Sequence, residues 1–114
     1  MLYNEELANR VRTQLAHLRR VEEKQMFSGL VFMVDGKMCI GVSASELMVR
    51  MNPDSVDEIA DLDGWRQMIH GKKPMKGYVF VSEDVLVKNE DLKFWIDLAL
   101  TFNPLAKSSK NKTS

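Results

Sequence analysis

A single cysteine, Cys39, leaves the chain without the means to form an internal disulfide, and only two histidines, His17 and His70, accompany it as candidate zinc ligands. Their spacing does not match the paired ligands that zinc requires, so no metal or cofactor is expected. Charge of one sign is lacking too. Lys plus Arg and Asp plus Glu number 16 each, which removes any global field toward nucleic acid or anionic lipid. No apolar run approaches the length needed to span a bilayer, and the start, from Met1 to Glu6, has neither the basic nor the apolar region of a secretion signal. A cytoplasmic protein with no membrane association is the expectation. Glycine-rich phosphate cradles are absent as well, since Gly29, Gly36 and Gly41 read as strand and turn glycines.

What is present is a sheet. The apolar run Leu30-Val31-Phe32-Met33-Val34 meets Asp35-Gly36 and resumes at Met38-Cys39-Ile40, the strongest short-range hairpin signal a sequence offers. Neither arm alternates apolar with polar, which implies cover on both faces of the sheet. Asn4 reads as a helix cap followed by Glu5 and Glu6, and Leu7, Val11, Leu15 and Leu18 recur on one face of a helix running to about Val21. Strands are expected over Met26–Val34, Lys37–Val42, Leu47–Met51, Trp65–His70 and Gly77–Val81. A short acidic helix is expected at Ser55–Ala60, and a basic loop at Gly71–Lys76. Asn89 would cap a last helix whose two stripes, one with Leu92, Trp95 and Ile96 and one with Phe94, Leu98 and Phe102, are together wider than one sheet face needs.

These elements predict one α+β domain over residues 1–106, an antiparallel sheet of about five strands with its helices on one face, and a disordered polar and basic tail at 107–114. A second copy of the chain is the cheapest cover for the open face, so a homodimer is expected. Phe32, Val34, Phe94, Leu98 and Phe102 form the candidate partner or dimer surface.

Candidate chemistry is sparse. Cys39 and His70 could form a thiol and base pair oriented by Asp35 or Asp63, but a cysteine in an apolar strand reads as a small hydrophobe. Asp54, Asp57, Glu58, Asp61 and Asp63 lack the glycine and closing glutamate of a calcium loop, which leaves a solvated acidic face. Arg10, His17 and Arg20 on the first helix, with Lys72, Lys73 and Lys76 in the basic loop, form the candidate basic patch. It is diluted by Glu6, Glu22 and Glu23, so nucleic acid is the runner-up partner. Seven of the eight methionines fall on or beside strands, where core filling is the default reading. If several were exposed, a groove for a peptide or partner protein would take its place.

Met26-Phe27-Ser28-Gly29-Leu30, Phe32-Met33-Val34, Gly36-Lys37-Met38-Cys39 and Gly41 resemble the N-terminal domain of the TfoX (TfoX/Sxy) family of competence regulators. Leu47-Met48-Val49-Arg50, Pro74 to Val81 and Trp95 continue the resemblance in the same order. The sequence departs from the family where Ser28 and Lys72 replace frequent glycines. The resemblance implies a dimeric fold similar to type III secretion chaperones and a non-enzymatic regulatory role. It also implies that the C-terminal domain of full-length regulators is missing from this chain.

Overall fold

The computed structural model describes residues 3–26 and 29–106, with His70 described through its backbone. Six strands form one antiparallel sheet in the order β1 (Val21–Met26), β2 (Gly29–Val34), β3 (Lys37–Val42), β4 (Glu46–Arg50), β6 (Lys73–Ser82), β5 (Trp65–His70). Helices α1 (Glu5–Gln14) and α2 (Asn89–Phe102) cover one face, and a 3-10 turn at Pro53–Ile59 packs beside them through Ile59. None of the helices is long and apolar enough, among the described residues, to cross a membrane.

The expected hairpin is present. Val34 pairs with Lys37, and Asp35 and Gly36 take φ of +52° and +78°, the two positive values that a two-residue turn following the strand twist demands. One residue of β3 is extra: Phe32 pairs with Ile40 and Met33 with Met38, so Cys39 sits in a bulge. Both Cys39 and Ile40 are buried in the core.

The first helix is shorter than its periodicity implies. Asn4 caps it, accepting from the Leu7 amide at 3.0 Å, but it ends at Gln14, and the residues expected to complete it lead into β1 instead. β1 is an edge strand with mostly exposed, charged residues, the pattern that protects an edge from unwanted pairing and that hides a strand from an apolar-periodicity reading. The single strand expected over Met26–Val34 is therefore two, which reverse direction between Met26 and its ladder partner Gly29. Likewise the basic loop is shorter than expected. His70 pairs with Lys73, so Gly71 and Lys72 make the turn and Lys73 to Lys76 already belong to β6. The expected cap of the last helix also moves. Lys88 occupies the cap position without a side-chain bond, while Asn89 Oδ1 accepts from the Arg10 guanidinium at 3.0 Å.

The core lies between sheet and helices. Leu7, Ala8, Val11 and Leu15 from the α1 segment and Leu92, Trp95, Ile96 and Ala99 from α2 meet Leu30, Phe32, Ile40, Val42, Leu47, Val49, Val79 and Val81. Each fully buried large aliphatic side chain contributes roughly 2 kcal/mol of transfer free energy, which makes this layer the main source of stability. Phe32 and Val34, expected on a partner surface, are 0% and 5% exposed in this layer. An unbroken apolar run does not disclose which alternate residues point to the helices, and here the even-numbered ones do. The tail at 107–114 lies outside the described residues.

Candidate interaction surfaces

The odd-numbered side of β2 faces away from the helices. Because directly opposed residues of an antiparallel ladder share a face, the register defines a row across the sheet: Lys24, Val31, Gly41, Met48, Phe80, Arg66. A cation stands at each end, and a residue without a side chain stands inside. Over this row lies a groove of about 270 Å³ lined by Val31, Gly41 and Met48, with the Met48 side chain folded against Gly41. Met26 and Met38 line it toward β1 and β3, and Met68, Met75, Tyr78 and Phe80 toward β5 and β6. Met26, Met38, Met68 and Met75 are partly exposed, whereas Met33, Met48 and Met51 are buried.

An irregularity brings two of these methionines in. Gln67 pairs with Val79 and Ile69 with Pro74, so Met68 on β5 faces four residues of β6, and Gly77 within that stretch takes φ of +88°. Regular alternation would place Met75 and Tyr78 on opposite faces, yet both line the groove.

Arginines brace the walls. The Arg66 guanidinium lies 4.6 Å from the Phe80 ring centroid and pairs with Glu46 at 2.8 Å, and the carboxylate bond raises its pKa above the usual value. Arg50 lies 5.4 Å from the Tyr78 centroid and donates to the Met38 carbonyl at 3.3 Å. Lys72, Lys73 and Lys76 are exposed on the hairpin that supplies Met68 and Met75.

A second apolar surface lies on the outer side of α2, where Phe94 is 43% exposed and Leu98 and Phe102 are half-buried. With Leu105 and Met51 they line a shallow depression bordered by Glu58 and Asp97. Three of the five residues expected on a partner surface are thus together here.

The expected basic patch is divided. Arg10 is held by the carbonyls of Leu86 and Val87 and by Asn89, at 2.7, 3.3 and 3.0 Å. His17 and Arg20 follow the end of α1 and are exposed, while the three lysines belong to the β5–β6 hairpin. The Cys39 thiol is 1% exposed, and burial pushes its pKa up to about 12 against a smaller opposite pull from Arg50. Among the described residues, no three His, Cys, Asp or Glu side chains are placed to hold a metal ion.

Sequence reasoning missed Val31, Gly41, Tyr78 and Phe80 as residues of the face that carries the groove. The usable signal was parity: once one member of the β2 run is assigned to the core, its alternate neighbours must face the other way.

A helix-covered antiparallel sheet with an apolar groove on its other face defines a small α+β domain. The chain belongs to the TfoX N-terminal domain family, whose family model matches residues 13–103. Neither a curated protein nor a solved structure matches it.

Proposed function

We propose that the chain is a non-enzymatic regulatory module of the TfoX N-terminal type, a cytoplasmic homodimer that engages a protein partner. A role in competence or transcription regulation is the one its family suggests. The observation that carries this reading is the methionine-lined groove on a sheet face that no helix of the described chain covers. Flexible thioethers repack against differently shaped apolar partners at small cost, which suits recognition rather than catalysis. The buried, neutral thiol of Cys39 supports a structural role for the one candidate nucleophile.

The α2 surface suits the dimer contact. Phe94, Leu98 and Phe102 repeat every four residues, so an antiparallel pairing about a twofold axis at Leu98 sets Phe94 opposite the second copy's Phe102. Light scattering at micromolar concentration is expected to give twice the chain mass, and Leu98→Asp or Phe94→Lys, with circular dichroism unchanged, to give a monomer. A monomeric wild type would overturn the dimer. For the second reading, nucleic-acid binding, the favouring observation is the exposed trio Lys72, Lys73 and Lys76. It requires salt-sensitive binding of duplex DNA at low ionic strength, and an absence of binding there eliminates it.

A further inference from the structure

Cations outnumber anions around the groove. Lys24, Arg50 and Arg66 share its face by register, and Lys72, Lys73 and Lys76 crown the hairpin beside it. Only Glu22 and Glu46 oppose them by register, and Glu46 is already bound to Arg66. Because the whole chain is neutral, the compensating acids lie elsewhere, as Asp91 and Asp97 on α2 and Glu58 on the 3-10 turn beside it show. A sheet-to-sheet pairing of two copies would therefore press like charges together around an apolar centre.

We infer that the groove receives an amphipathic helix of a partner protein, with two or three apolar side chains seated among the methionines and carboxylates flanking them. This rests on the interaction-module reading above and names the chemistry of its partner. Three observations select this occupant. The groove lies over strands whose backbone groups are already paired in the ladder, so an extended peptide laid there would leave its amides unsatisfied against methionine, whereas a helix brings its own hydrogen bonds. Its lining is almost wholly apolar and its mouth is open along one side, a shape that seats the apolar stripe of a helix and does not enclose a small ligand or supply the polar groups that would orient one. The cationic surround selects acidic flanks and offers them charge at Lys24, at one end of the central row, and at Lys72, Lys73 and Lys76 on the hairpin beside it.

A fluorescein-labelled helical peptide of about 14 residues, roughly four turns, tests this when it carries leucines at i, i+4 and i+7 and glutamates on either side. Comparison peptides replace the glutamates by lysines or scramble the leucines. Anisotropy titration of the full chain is expected to give a micromolar Kd for the acidic helix, about tenfold weaker or worse for both comparison peptides, and weaker again as salt is raised. Methyl resonances of Met26, Met48 and Met68 are expected to shift on binding. Met68→Asp is expected to weaken binding about tenfold, and the surface pair Lys72→Glu with Lys73→Glu about threefold to tenfold without disturbing the fold. Absence of binding by the acidic helix, equal binding of the lysine peptide, or affinity unchanged in both variants would overturn the inference. So would displacement of the acidic peptide by decanoate, by a single-stranded oligonucleotide, or by self-association of the chain at higher concentration. The two readings fail separately. A dimer that binds no peptide removes the groove assignment alone, and a monomer that binds the acidic helix removes the dimer alone.

Discussion

Gly36 and Gly77 have nearly the same backbone angle, with φ of +78° and +88°, but different surroundings. A Cβ on Gly36 would meet nothing within 4 Å, whereas one on Gly77 would come within 2.6 Å of the Met51 carbonyl oxygen. Gly36→Ala is accordingly expected to cost only the left-handed strain, about 1–2 kcal/mol. Gly77→Ala must also push β6 off the segment after β4, and is expected to cost roughly 3 kcal/mol or more. Urea midpoints at unchanged slope measure both. Asp35-Gly36 was legible because its turn chemistry is local. Gly77 was not, because its constraint comes from Met51, distant in sequence. Cys39 makes a similar point: the strand run announced its burial, but not the bulge that puts it beside Ile40 on the core side. With the folded thiol's pKa raised to about 12, the unfolded chain ionises first as pH rises. The thiol's stabilising contribution is thus fully present below the ordinary thiol range and is lost as pH climbs toward 12. Cys39→Ala is expected to remove that alkaline component from stability-versus-pH curves, and a thiol reagent at pH 8 to modify the wild type only after unfolding.

Among the elements, α2 depends on one polar residue at its end. Asn103, 4% exposed, donates its side-chain amide to the Val34 carbonyl at 3.2 Å, and its own carbonyl accepts from the Lys37 ammonium at 3.1 Å. Both partners flank the Asp35-Gly36 turn, so the hairpin and the helix end are fixed together. Asn103→Ala leaves a buried carbonyl without its amide donor and is expected to cost about 1–3 kcal/mol. Lys37→Met removes a partly buried bond to the Asn103 carbonyl and an exposed one to the Pro104 carbonyl and should cost less, a ranking that thermal melts can check. Periodicity reports which side of a helix is inward but not what a polar residue there, such as Asn103, will meet. β1 escaped for the opposite reason. Its residues are those an edge strand uses against aggregation, and Arg12 reaches across from α1 to pair with Glu23 at 2.6 Å. That pair holds the Glu23 carboxyl below its usual pKa, chiefly through the hydrogen bond from Arg12.

At the scale of the molecule, the sheet separates two apolar surfaces of different character. The α2 stripe carries acids at its border and lies on the helix side, while the methionine groove carries cations and lies on the opposite side. The order of elements gave the helix-covered sheet from the sequence, because amphipathic periods and turn residues act locally. The split into faces depended on parity and register, which an unbroken apolar run conceals. A contact through α2 leaves the groove of each copy turned away from the twofold axis, so dimer formation and helix binding have no shared residues and no reason to couple. Two sites without common partners are expected to show additive free energies. Leu98→Asp should therefore abolish the dimer while leaving the acidic peptide's Kd within about twofold of wild type, an additivity error of about 0.4 kcal/mol. Met68→Asp should do the reverse, weakening the peptide while the mass by light scattering stays doubled. Loss of peptide binding in a folded Leu98→Asp monomer would mean that the second copy completes the groove, and would place the partner's helix across the dimer instead of within one chain.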